Sequence, residues 1–196
     1  MNINMNHLKI EDPKLNKLEF ENLSVILESG FTEDNVILAF EQSGHRFEYY
    51  WANFPLGLVQ IFQEMENYLD FQLSNHEFDE DSVSKLVYNY VHLRLSLIDQ
   101  HSKAFKEIYK FFRNPFRISK ALKANIQTVS LIWNLVEETN SDFSFYTKRA
   151  TLLMIYKVAL KALLMGKDWE SVLKYEFKLL GKFHKAKKKL VSKFKA

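Results

Sequence analysis

Apolar residues recur every three to four positions almost from end to end of this chain, and only five glycines and three prolines interrupt 196 residues. A turn-rich β protein needs far more breaks than that. The spacing is that of amphipathic helices, so the fold class is all-α. With 47% hydrophobic and 15% aromatic residues, the chain can build a large core, which excludes general disorder. It contains no cysteine, so disulfides, thiolate metal sites and cysteine nucleophiles are excluded together.

Glycine, proline and capping residues divide the pattern into helices. Leu15, Leu18, Leu23, Ile26 and Leu27 form a first helix, stopped at Gly30. Thr32 caps a second through Val36, Ile37 and Phe40 to Gly44. A short third runs from Phe47 to Trp51, and Pro55 suits the first turn of a fourth carrying Leu58, Ile61, Phe62, Met65 and Leu69. Three short helices before a longer one describe a helix-turn-helix-like head. Asp79 or Asp81 caps the next helix, through Val87, Tyr90 and Ile98 to about Phe112, with a break near His101. After Asn114-Pro115 a helix to Val136 carries Ile126, Val129, Ile132 and Trp133 inward. A further helix runs from Phe143 to Met165, and Gly166-Lys167-Asp168 turns into the last. The expected organisation is a flexible N-terminus at 1–14, a head at 15–55, a helical ligand-binding body at 56–168 and a basic amphipathic helix at 169–196.

Charge separates the two ends. Residues 1–84 carry 16 Asp and Glu against 4 Lys and Arg, whereas residues 166–196 carry 10 Lys against 3 acids. The head alone, 16–56, holds seven acids against Lys17 and Arg46. Phosphate contacts supply most nucleic-acid affinity, and each needs a cation. Nucleic acid is therefore not an expected partner, although a ligand-responsive helix-turn-helix repressor remains the alternative reading of the fold. The carboxylates of the front read as a solvated face. No two of the six histidines stand three or four apart, and no Glu-x-x-His pair, phosphate loop or Gly-x-Ser-x-Gly elbow is present. No metal site and no catalytic set is expected.

The last helix is the sharper feature. Val172, Tyr175, Leu179, Phe183, Ala186, Leu190 and Phe194 form an apolar stripe, widened by Leu180 and Val191 and flanked by lysines that include Lys182, Lys185 and Lys189. Such a helix lies in an anionic membrane interface; the same pattern also suits a packed terminal helix with a solvated lysine face. The start of the chain has neither an apolar signal region nor an arginine-rich transit pattern. The longest apolar stretch, 150–166, is interrupted by Lys157 and Lys161 and is not expected to span a bilayer. The expectation is a cytoplasmic protein of bacterial type, peripheral on the inner face of the membrane.

Asp142-Phe143-Ser144-Phe145-Tyr146-Thr147-Lys148-Arg149-Ala150, followed by Leu152, Ile155 and Tyr156, resembles the Asp-Phe-Asn-Trp-Tyr-Thr-Lys/Arg-Arg-Ala signature of the ubiquinone biosynthesis lipid-binding protein family, the ninth of the Coq proteins. Trp133 stands at the spacing of that family's upstream Trp, Gly30-Phe31-Thr32 resembles its Gly-Trp-(Ser/Thr) turn, and Phe54-Pro55 with Gly57 its Phe-Pro-x-Gly step. The similarity covers roughly residues 15–180. It implies a fold like the tetracycline-repressor transcription factors, a homodimer, and a non-catalytic protein without cofactor. That protein holds an isoprenoid quinone precursor or phospholipid and assists the di-iron hydroxylase acting on demethoxyubiquinone.

On that reading Leu131, Phe143, Leu152, Leu153, Ile155 and Tyr156 line a lipid pocket, although each also reads as plain core. Ile132, Phe145 and Tyr146 meet the hydroxylase. Leu179, Phe183, Leu190 and Phe194 insert into the membrane with Lys182, Lys185 and Lys189 beside them. The chain departs from the family in having Phe145 for Trp, apolar Ser130-Leu131-Ile132 where an Asp precedes the upstream Trp, and a more lysine-rich tail.

Overall fold

A computed structural model describes residues 12–136 and 143–193, with the backbone alone for 143–145 and 183–193. Every regular element among the described residues is helical, as the sequence requires. The chain divides into two compact units, 1–79 with 103–124, and 80–102 with 125–196. The expected head lies wholly in the first unit, whereas the expected body is shared between both.

The first unit contains α1 (Lys17–Ile26), α2 (Glu33–Gln42), α3 (Glu48–Asn53), α4 (Leu58–Ser74), α6 (Ser102–Phe111) and the first turns of α7 (Ile118–Leu135). Asn16 and Glu19 form a reciprocal capping box at α1, each side chain accepting from the other's backbone N–H at 3.0 and 2.8 Å. Thr32 caps α2 as expected, accepting from the Asn35 N–H at 3.3 Å. Between α2 and α3 the rings of Phe40, His45, Tyr49 and Phe54 pack on one another, with Phe40 and Phe54 stacked at 5.1 Å. On α4 the buried stripe is the expected one, Ile61, Phe62, Met65, Leu69 and Leu73.

Several local expectations are corrected. The acidic front is not simply a solvated face, because Glu19, Glu64, Glu66 and Asp70 are buried. Glu19 accepts from the Tyr49 hydroxyl at 3.0 Å and pairs with His45 Nε2 at 2.7 Å, so this carboxylate joins α1 to the α2–α3 turn. Burial, reinforced by that bond to Glu19, pushes the Tyr49 phenol up to about 12. Tyr109 donates to Glu66 at 3.3 Å. These partners offset the desolvation of the carboxylates, which would cost several kcal/mol if they were buried alone.

Pro55 does not open α4. It sits in the preceding turn, and Gly57 is the N-cap with φ +60° and ψ −141°. A Cβ at Gly57 would meet Glu33 Oε1 and the Tyr50 hydroxyl, each at 3.3 Å. Gly57→Ala is therefore expected to destabilise the protein by about 1–3 kcal/mol. Thermal denaturation followed by circular dichroism checks this, and an unchanged midpoint would contradict the strain argument.

The second unit contains α5 (Val83–Asp99), α7 from residue 125, α8 (Phe143–Leu164) and α9 (Trp169–Lys193). Ser82, rather than Asp79 or Asp81, occupies the N-cap of α5. The expected break near His101 separates α5 from α6. Ile126, expected inward, is 45% exposed, because α7 instead buries Asn125, Thr128, Val129, Ile132 and Trp133. The polar Asn125 and Thr128 take core positions that an apolar-only pattern would not assign to them.

Candidate functional site

In the second unit α8 and α9 run against one another, and α5 packs against both. Asp168 begins α9 by accepting from the Ser171 N–H at 3.0 Å, and its hydrogen bonds to Ser171 hold the carboxyl below the usual range. Trp169 then turns inward. Its indole N–H donates to Asp99 Oδ2 on α5 at 3.1 Å, and its ring lies 5.1 Å from that of His92. His92 in turn pairs with Glu170 at 3.4 Å, and Tyr88 meets Phe177 edge-on at 5.2 Å. Three consecutive turns of α5 thus hold the first turns of α9.

This anchoring fixes the register of the last helix and corrects the stripe read from the sequence. The face toward the unit is Trp169, Leu173, Phe177 and Leu180, of which Trp169 and Leu173 are buried and the other two half-buried. Tyr175, expected in the apolar stripe, is 63% exposed. Leu179 is half-buried and Lys182 exposed. Phe183, Lys185, Lys189 and Leu190 lie on the α9 backbone, but their side chains, like the whole of Phe194, fall outside the described residues.

The motif of residues 142–150 falls at the start of α8, with Asp142 outside the described residues and the Phe143 and Phe145 side chains likewise. Its two cations face the end of α7. Arg149 donates to Asn134 Oδ1 at 3.3 Å, and the Lys148 ammonium lies 5.8 Å from the centre of the Trp133 ring. The Lys-Arg pair therefore clamps the first turns of α8 to the last turn of α7, a role the sequence reading did not give it.

Tyr146 projects from the same turn and is 73% exposed. Ile132, grouped with it as partner-facing, is instead fully buried: its place on α7 points it into the unit beside Val129 and Val136, and it presents nothing to a partner. Of the pocket residues, Leu152, Ile155 and Tyr156 are buried, and Leu131 and Leu153 half-buried.

Beyond Arg149, α8 carries apolar residues on its exposed as well as its buried side, with Lys157 and Lys161 exposed among them. The buried side carries Leu152, Ile155, Tyr156, Ala159 and Leu163, yet Met154 and Val158, at four-residue steps from Tyr146, are 70% and 45% exposed. Large apolar residues on a helix are ordinarily turned toward a covering surface. The signal is present in the sequence, where 150–166 is apolar apart from Lys157 and Lys161, but periodicity does not say which of its sides is covered. Among the described residues no group of acids and histidines could hold a metal ion, and no helix is long and apolar enough to cross a membrane.

An all-helical unit with a motif-bearing helix, a half-exposed apolar face and a basic final helix is the class of protein that these observations define. Residues 118–177, from the start of α7 into the first turns of α9, match the COQ9 family model. The resemblance read from the motif therefore holds over this part of the chain. A relative from Dictyostelium discoideum, "Probable ubiquinone biosynthesis protein coq9, mitochondrial", is 34% identical over 67 residues. That alignment takes in 34% of this chain and only 22% of the relative's length.

Proposed function

We propose that this protein is a non-catalytic lipid-binding accessory factor of ubiquinone biosynthesis. It acts as a homodimer held peripherally on a membrane, where it presents a quinone precursor to the di-iron hydroxylase that acts on demethoxyubiquinone. The observation that carries the reading is the coincidence of the COQ9 family match over residues 118–177 with an exposed Tyr146 on the motif-bearing turn. The ligand is an isoprenoid quinone precursor or a phospholipid, and the protein uses no other cofactor.

A polyisoprenoid quinone is nearly insoluble in water. A pocket among helices offsets its extraction by about 25 cal/mol for each Å² of apolar surface kept dry. Leu152, Leu153, Ile155 and Tyr156 on α8, with Phe143 at its start and Leu131 on α7, supply that wall. Tyr146 and Phe145 beside it face the hydroxylase. Solvent extraction of the purified protein with mass spectrometry tests this: bound isoprenoid lipid is the expected result. Recovery of no lipid, together with no binding of added quinone analogues, overturns it.

Membrane attachment rests on the end of α9. Exposed Tyr175 and half-buried Leu179 start a series at four-residue spacing that Phe183 continues in sequence. Leu190 and Phe194 follow, and Lys182, Lys185 and Lys189 flank them. Each lysine near an anionic surface contributes on the order of 1 kcal/mol, decaying over a Debye length of about 8 Å at physiological salt. Deleting residues 185–196 removes six lysines with Leu190 and Phe194. Co-sedimentation with anionic vesicles is then expected to fall more than about tenfold, and undiminished binding would contradict the tail as an anchor.

A further inference from the structure

The first unit carries a second patch of the same chemistry, at the corner between α6 and α7. Asn114 builds that corner. Its side-chain oxygen accepts from the Phe116 N–H at 3.0 Å, and its carbonyl accepts from Arg117 and Ile118 at 2.9 and 3.0 Å. The turn holds Phe116 outward at 91% exposure, the highest among the exposed large apolar residues, and Ile118 beside it is 56% exposed. Around them stand Arg113, Arg117, Lys120 and Lys123, all exposed, and residues 108–124 contain five cations and no acid.

Arg117 also belongs to an open cleft. Its guanidinium lies 3.9 Å from the centre of the Phe111 ring, and the cleft wall continues through Leu58 and Pro55 to Trp51 and Leu56, which are 48% and 74% exposed. Glu33 is the acid that faces this cleft, and it accepts from the Tyr50 hydroxyl at 3.5 Å. The other acids near these helices, Glu107 and Glu28, are paired with Lys110 and Lys103. No ion pair holds Arg113, Lys120 or Lys123 among the described residues.

We infer that this corner is a second membrane-docking surface, with Phe116 and Ile118 entering the interface of an anionic bilayer and Arg113, Arg117 and Lys123 meeting its headgroups. Charge complementarity selects the occupant. The cations are gathered at this corner of a unit whose remaining surface is acidic, so a phosphate-bearing surface is favoured there and opposed elsewhere. A phenylalanine held outward by a turn fits a deformable acyl layer, and Trp51 and Leu56 add exposed apolar surface on the cleft that Arg117 lines. A nucleic acid offers phosphate but no apolar phase for Phe116 and Ile118 to enter.

The absence of cysteine makes the test direct. Full-length Ser119→Cys places one environment-sensitive fluorophore on the exposed first turn of α7, and Glu41→Cys places a control on α2. With vesicles of phosphatidylcholine and phosphatidylserine, emission at position 119 is expected to brighten and shift to the blue, with no change at position 41 and none with phosphatidylcholine alone. Phe116→Ser and the pair Arg113→Glu, Lys123→Glu should each lower vesicle partitioning about tenfold at unchanged melting temperature.

An unchanged signal at 119 while the protein co-sediments would overturn this inference and leave the tail anchor standing; failure to co-sediment at all would overturn both. A response at 119 to duplex DNA or to an acidic protein, and not to vesicles, would also overturn it.

Discussion

Trp169→Ala is expected to lower the stability of the second unit by about 3–5 kcal/mol, the cost of emptying a buried aromatic site. The indole is 6% exposed, and it joins α9 to α5 through the bond to Asp99 and the contact with His92. Its removal leaves a void between those helices and unties α9 from Asp99, which is exposed and turns to water. For a chain of this length that loss corresponds to a fall in melting temperature of about 10 °C. Trp169→Phe keeps an aromatic ring but loses the hydrogen bond and part of the indole volume, so about 1–2 kcal/mol is expected there. Calorimetry on the two variants separates the terms. Equal losses would mean that the bond to Asp99, and not ring burial, holds α9 in place.

On the function proposed above, Tyr146→Lys should do the opposite, leaving stability nearly untouched while removing binding to the hydroxylase. The residue is 73% exposed, and exposed substitutions away from core features shift stability by about 0.5 kcal/mol or less. An aromatic anchor at the centre of an interface commonly carries 2 kcal/mol or more, so co-purification with the hydroxylase should fall at least about thirtyfold. An unfolded variant would show that Tyr146 supports the start of α8. A folded variant with undiminished binding would remove it from the partner surface.

Much of this fold is legible in the sequence, for physical reasons that differ by element. Where one face is apolar and a cap is unambiguous, as in α2 behind Thr32 or along α4, periodicity and capping chemistry give the helix and its buried face together. Where apolar residues fall on two faces, periodicity no longer chooses. Val172, Leu173, Tyr175, Phe177, Leu179 and Leu180 permit two stripes at the start of α9. Only the tertiary anchors of Trp169 on Asp99 and His92 select the one that buries Leu173 and exposes Tyr175.

Ile132 shows the same limit on the site. Its match to a family position says nothing of which way α7 is turned, and burial of Thr128, Val129 and Trp133 turns it inward. Glu19 illustrates the converse, because one carboxylate among many on an acidic segment cannot be told from its solvated neighbours until Tyr49 and His45 arrive from distant positions. The break at Asn114-Pro115 is legible and puts the next helix start at about Phe116; α7 starts instead at Ile118, and the turn that leaves Phe116 exposed is set by the Asn114 hydrogen bonds, which no periodicity shows.

On the function proposed here, this protein serves a hydroxylation step in ubiquinone formation by presenting its substrate. The quinone profile of cells lacking the gene tests that claim most directly. Ubiquinone should fall and demethoxyubiquinone accumulate, with recovery on expression of the intact protein and none on expression of Tyr146→Lys. An unchanged ubiquinone pool with no accumulated demethoxyubiquinone would contradict it.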